Sequence, residues 1–196
     1  MTEKTHNNAV EEDSRLVALD TGIGGMPFGR EETLNSEQAR RKEEALEYFK
    51  SAYKAQFEND LDKAVLLYQK SIECYATAEA HTFLGWTYSF MGMTDEAIDE
   101  CKRAIDVDPE FGNPYNDIGA YLIEKGDAVG AIPWLEQATR ASRYQCYFYA
   151  HFNLGRVYEA RGLAFRALRE YKAAIDLYPN YRLAVRAFRR LQGKLN

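Results

Sequence analysis

A repeating pattern of small and large residues constrains this chain more than anything else in it. Copies of the pattern begin at positions 45, 78, 112 and 148, steps of 33, 34 and 36 residues. An aromatic residue or histidine recurs as Tyr48, His81, Tyr115 and His151. Three residues on stand Ser51, Leu84, Ile118 and Leu154, followed at once by the small Ala52, Gly85, Gly119 and Gly155. Three further come Ala55, Tyr88, Leu122 and Tyr158. Offsets of this kind trace one face of an α-helix, and the small residue lets a neighbouring helix approach closely. Gly92, Gly126 and Gly162 then stop the helix and turn the chain, with Asn59 in that place in the first copy.

A second helix follows in each copy. Ala64, Ala97, Ala131 and Ala167 are answered four residues on by Tyr68, Cys101, Leu135 and Tyr171. Three beyond these stand Ser71, Ala104, Ala138 and Ala174. Pro109 and Pro179 close two of the copies, where a helix cannot continue. The pattern therefore predicts four helical hairpins, with units at about 45–77, 78–111, 112–147 and 148–181.

The runs HxxLGxxY…A…C…A…P at 81–109 and HxxLGxxY…A…Y…A…P at 151–179 resemble the tetratricopeptide repeat (TPR) family. The resemblance spans about 45–181 and implies an all-α, right-handed α-solenoid of stacked hairpins. It also implies a protein-interaction module, an adaptor or co-chaperone, that takes a protein or peptide partner. Unit one departs from the family pattern by lacking the glycine and the closing proline. Unit three lacks the closing proline and is followed by two extra residues. Gly130 and Pro133 are expected to loosen the first turn of its second helix, leaving the angle of the unit three–four junction open.

Repeat arrays need caps, because a terminal unit has one uncovered apolar face. At the C-terminal end, Ala184, Phe188, Leu191 and Leu195 form one stripe of a predicted capping helix at about 182–194. Arg182, Arg186, Arg189 and Arg190 lie elsewhere on that helix and form a candidate basic docking face. At the front, Asn35 or Ser36 is a good N-cap for a long first helix over about 36–58. Residues 1–35 are acidic, weakly periodic and glycine-rich in part, and are expected to be a disordered tail. Within the tail, Leu16–Leu19 (LVAL) and Met26–Phe28 (MPF) are short apolar motifs of a size to dock in a groove.

In the TPR family, first helices line a concave groove that binds extended peptides. The matching columns lie one, two, five, eight and nine residues after the first aromatic column. They hold Phe49, Tyr53 and Phe57 in unit one, and Phe83, Trp86 and Phe90 in unit two. Unit three offers Asn116 and Asp117, and unit four Phe152, Asn153 and Arg156, with Tyr149 pointing the same way. The expected peptide-binding groove is thus Phe49, Tyr53, Phe83, Trp86, Phe90, Asn116, Tyr149, Phe152, Asn153 and Arg156. Aromatic rings supply contact area with few rotors to freeze, and arginine grips carboxylates. Some family members hold chaperone C-termini with a Lys/Asn clamp in the first two units; here those columns hold Phe49, Tyr53 and Phe83, which disfavours that role. The alternative is an assembly scaffold or homo-oligomer that uses the aromatic surface as a permanent interface.

Composition narrows the remaining function classes. The net charge of −5 is uneven: residues 1–38 carry −5, 39–155 carry −7 and 156–196 carry +7. An acidic chain with a modest basic end argues against nucleic-acid binding. No apolar run approaches a membrane span, and the N-terminus lacks the apolar core of a secretory signal, so the expectation is a cytoplasmic protein with no membrane partner. Cys74, Cys101 and Cys146 show neither disulfide nor zinc spacing and are read as reduced, largely buried thiols. His6 lies in the tail, while His81 and His151 occupy equivalent core columns. TGIGG at 21–25 lacks the Lys-Ser/Thr of a phosphate loop, and no HExxH or nucleophile motif occurs. The expectation is a non-enzyme with no metal and no cofactor.

Overall fold

The computed structural model describes residues 35–195; the acidic segment before Asn35, whose disorder the sequence predicts, lies outside them. Nine helices and no strand are found among the described residues. They are α1 (Ser36–Phe57), α2 (Leu61–Cys74), α3 (Ala78–Phe90), α4 (Thr94–Val107), α5 (Asn113–Glu124), α6 (Ala128–Ala138), α7 (Tyr147–Ala160), α8 (Ala164–Leu177) and α9 (Arg182–Gly193). Each helix packs on the next, so α1–α8 form four hairpins and α9 closes on α8. First helices also meet one another, α1 with α3 and α5 with α7. The result is a right-handed α-solenoid of stacked hairpins.

The turn column does what its residues predict. Asn59, Gly92, Gly126 and Gly162 have φ of 63°, 79°, 85° and 72°. That left-handed region ends a helix without clash only for glycine, or for asparagine at small cost. Second-column packing is equally regular. Ala64, Ala97, Ala131, Ala167 and the large Tyr68, Cys101, Leu135 and Tyr171 are buried. Ser71 replaces alanine in unit one, and its buried hydroxyl donates to Ala45 O at 2.7 Å.

Three local features differ from the pattern. In α1 the buried stripe is Ala45, Phe49, Ala52 and Ala55, while Ser51 is exposed. Unit one is the first described repeat, and among the described residues no preceding helix lies against the face that Leu84, Ile118 and Leu154 bury. In α6 the first turn holds despite Pro133: the Asp127 side chain accepts from Gly130 N at 2.8 Å. Pro133 sits mid-helix on the exposed side, where the carbonyl it frees meets water. At the front, Asn35 caps α1 reciprocally with Gln38, at 2.8 and 3.1 Å. Cys101 is buried while Cys74 and Cys146 are half-buried, and all three are free thiols. Among the described residues no helix is long and apolar enough to cross a membrane.

Candidate functional site

The first helices of units one and two meet through rings. Phe49 is buried and meets Tyr68 and Phe83 edge-on, at centroid distances of 5.5 and 5.2 Å. Phe83 is buried too, 5.8 Å from Tyr53 and 4.8 Å from Trp86. These two phenylalanines therefore pack between repeats, and it is Tyr53, Trp86 and Phe90 that remain half-exposed above them. Phe152 is likewise buried, between Tyr171 and Tyr181 at 5.8 and 5.1 Å. Tyr149 is half-buried beside Phe148 and Tyr181.

From Trp86 a chain of hydrogen bonds crosses three repeats. The Trp86 indole Nε1–H donates to Asp117 Oδ2 at 2.5 Å, joining α3 to α5. Asn116 Nδ2 donates to Asp117 Oδ1 at 3.4 Å. Asn153 Nδ2 donates to Asn116 Oδ1 at 3.1 Å, joining α5 to α7. Arg156 Nη1 then donates to Asn153 Oδ1 at 3.0 Å. The chain brings together Trp86, Asn116, Asn153 and Arg156, which the sequence nominated separately. Asp117 is the residue that completes it. Burial pushes its carboxyl up to about 7, against the lowering effect of the Trp86 and Asn116 donors. Arg156 stands half-exposed at the end with no carboxylate partner among the described residues.

Each histidine pairs with a glutamate of the following helix. His81 Nδ1 lies 2.7 Å from Glu100 Oε2, and His151 Nδ1 lies 2.9 Å from Glu170 Oε2. Both pairs are nineteen residues apart, and Tyr115 meets Trp134 at the same spacing, 6.3 Å between rings. The equal spacing was the signal available in the sequence. Among the described residues no group of three potential metal ligands converges.

Sequence reasoning missed Arg143 entirely. It lies in the loop between α6 and α7, where Arg143 N donates to Glu110 O at 2.9 Å and Gly112 N donates to Arg143 O at 3.1 Å. Its guanidinium donates to Glu79 Oε1 at 2.5 Å and also to Asp108, and lies 5.1 Å over the Phe111 ring. Glu79, in the first turn of α3, is only 2% exposed. Burial opposes the Arg143 charge, but the two carboxylates outweigh it and raise its pKa. One side chain thus ties the loop after unit three to both ends of unit two. This clasp defines the junction that the two extra residues left open.

Of the C-terminal arginines, Arg190 donates through Nη2 to Glu159 Oε2 at 2.6 Å. Glu159 also accepts from the Tyr171 hydroxyl at 2.8 Å. Arg182, Arg186 and Arg189 are exposed and make no ion pair among the described residues.

A family model described as tetratricopeptide repeat matches residues 78–111, and another of the same description matches 149–181. No curated protein matches the chain significantly in sequence. Among solved structures, the fold is similar to the MamA protein, with 24% identity, a TM-score of 0.64, and 76% of this chain and 82% of that one covered. It is also similar to PilF of Pseudomonas aeruginosa, at 20% identity and TM-score 0.74, covering 79% and 70% of the two chains. A third similar fold is the first TPR of Spaghetti (RPAP3), solved with the HSP90 peptide SRMEEVD; identity is 23%, TM-score 0.56, and coverage 61% and 93%. The repeat columns, the hairpin architecture and the two model matches together identify this chain as a tetratricopeptide repeat protein, a protein-interaction module.

Proposed function

We propose that this protein is a cytoplasmic adaptor whose concave groove binds a peptide segment of a partner protein. The observation that carries the reading is the hydrogen-bond chain from Trp86 through Asp117, Asn116 and Asn153 to Arg156. Groups already held in place lose little freedom when a ligand arrives, which raises affinity for a given contact. Each asparagine keeps an N–H beyond the one used in the chain, suited to a ligand carbonyl. Apolar ligand residues fit the Tyr53–Trp86 side, and a carboxylate fits the unpaired guanidinium of Arg156. A peptide with three acidic residues, SRMEEVD, occupies the RPAP3 domain of similar fold. Here the unpaired cation lies in unit four rather than in the first two units, which argues against the same mode of capture.

A peptide-display selection on the immobilised full chain tests this. Peptides recovered on wild type should be lost on a folded Trp86→Ala/Arg156→Ala variant; equal recovery on both would remove the groove from the function. The alternative, a homo-oligomer joined through the aromatic surface, is favoured by Phe57, which ends a groove column 69% exposed. Light scattering decides between them: a stable dimer that a Phe57→Ser substitution dissociates would support the alternative.

A further inference from the structure

The last helix, α9, stands to α7 as one first helix stands to the next. Ala184, Ala187 and Leu191 are buried, at offsets zero, three and seven. Those are the columns of His151, Leu154 and Tyr158, and Ala184 follows His151 by 33 residues, one unit step. Side chains tie α9 to α7: the Tyr181 ring lies 5.1 Å from that of Phe152, and Arg190 reaches Glu159 at 2.6 Å.

The other first helices meet by one rule. The residue two after the first column touches the residue one or five after that column in the preceding first helix. Phe83 meets Phe49 and Tyr53, at 5.2 and 5.8 Å between rings. Asp117 accepts from Trp86 at 2.5 Å. Asn153 donates to Asn116 at 3.1 Å. Each junction is thus filled by groups that suit one another: ring on ring, carboxylate on indole N–H, amide on amide. Phe83, Asp117 and Asn153 are all buried.

Applied to α9, the same rule sets Arg186 beside Phe152 and Arg156. Here the groups do not match. Arg156 and Arg186 are both cations, and like charges across one junction repel. Neither has a carboxylate partner among the described residues. Helices α7 and α9 hold five arginines and one acid, Glu159. That acid is already taken by Arg190 and the Tyr171 hydroxyl. Arg156 donates to Asn153 Oδ1 through Nη1, and Arg186 is exposed. Two planar guanidiniums with donors to spare suit carboxylates, each able to take both oxygens of one. Arg189, in the column of Arg156, extends the positive strip along α9. A lone carboxylate would leave this strip under-neutralised, so a run of acids suits it better.

We propose that Arg156 and Arg186 form a two-arginine seat for acidic side chains, so that the ligand carries adjacent Asp or Glu residues where it crosses the α7–α9 junction. This rests on the groove being the binding surface. It adds α9 to that surface and places the ligand's acidic run at the end opposite the part that meets Tyr53 and Trp86.

The test is a peptide-display selection on the immobilised full chain, followed by binding of the selected peptides to variants. Peptides from wild type should be enriched in adjacent acidic residues. They should bind Arg186→Glu at least about tenfold more weakly, since a charge-assisted partner becomes a repulsive one. Arg186→Glu supplies the missing carboxylate from within, so it should melt no lower than wild type; Arg186→Gln repeats the comparison without a new charge. Arg161→Gln removes an exposed arginine at the end of α7 and should change affinity by less than about threefold, as screened charge does. Amidating the C-terminus of a selected peptide should leave its affinity unchanged, and a loss on amidation overturns the side-chain seat. Selected peptides without acidic enrichment, or equal binding to wild type and both Arg186 variants, overturn the proposal. If such peptides are still lost on Trp86→Ala/Arg156→Ala, the groove reading stands without it. Equal losses for Arg161→Gln and Arg186→Gln assign the effect to diffuse charge and overturn the seat as well. If wild type recovers no peptide, the groove reading fails and the proposal with it.

Discussion

Replacing Arg143 with alanine should destabilise the array more than any other single change to a half-exposed residue. The guanidinium sits 2.5 Å from Glu79 Oε1 and also meets Asp108. Glu79 is 2% exposed, so its carboxylate cannot recover hydration once the arginine is gone. Breaking a buried pair from one side costs about 3–5 kcal/mol, mostly the uncompensated charge left behind. Loss of the Phe111 contact adds about 0.5–1 kcal/mol. For a chain of this size each kcal/mol moves the midpoint by roughly 2–4 °C, so the melt should fall by about 10 °C or more. Circular dichroism at 222 nm and urea titration would measure both. The mechanism is tested by adding Glu79→Gln: with no charge to strand, the double variant should regain more than half of the loss. Repeat proteins unfold unit by unit when coupling weakens, so Arg143→Ala should also broaden the urea transition. A loss under about 1 kcal/mol, or a double variant no better than Arg143→Ala, would refute the clasp.

Three further outcomes follow from the geometry. Asp117 has a folded-state pKa of about 7 against 3.8 for the free group, so its contribution is fully present below about pH 4 and is lost as pH rises through 7. Wild-type stability should therefore fall between about pH 4 and 7, by about 4 kcal/mol at most, while Asp117→Asn flattens the profile; parallel urea midpoints across that range would contradict this. Gly155→Ala would set a Cβ 2.4 Å from the Tyr171 ring, an overpacking cost of about 1–3 kcal/mol, read as a drop in melting temperature. Gly92→Ala meets nothing within 4 Å, so its loss of about 1–2 kcal/mol should come from the φ of 79° alone, and Gly92→Asn should recover part of it.

The columns were legible because each is set by local geometry and then repeated. A small residue at Gly85, Gly119 and Gly155 and a left-handed residue at Asn59, Gly92, Gly126 and Gly162 answer constraints within one hairpin. Four copies made the signal readable even where unit one departs from it. Features without a repeated counterpart were not legible. Arg143 has no equivalent in the other junctions, and its partners lie 35 and 64 residues away. The column pattern did not carry the depth of each side chain. Phe49 and Phe83 are buried because two rings from successive first helices meet, a contact that depends on how the repeats stack. For the same reason Asp117 was placed in a groove column without its bond to Trp86. The capping helix was read as a stripe with arginines elsewhere; its buried Ala184, Ala187 and Leu191 give it the register of a first helix.

The central claim is that the groove, and in particular the chain of bonds from Trp86 to Arg156, meets the ligand. A nitrogen–proton correlation NMR titration with a display-selected peptide observes those groups individually. The Trp86 indole N–H and the side-chain amides of Asn116 and Asn153 each give a resonance of their own. The account predicts that these three shift together, at the same peptide concentrations, while the Trp134 indole and residues on the second helices α2, α4, α6 and α8 stay in place. Shifts confined to the second helices, with the three groove resonances unmoved at saturation, would contradict it.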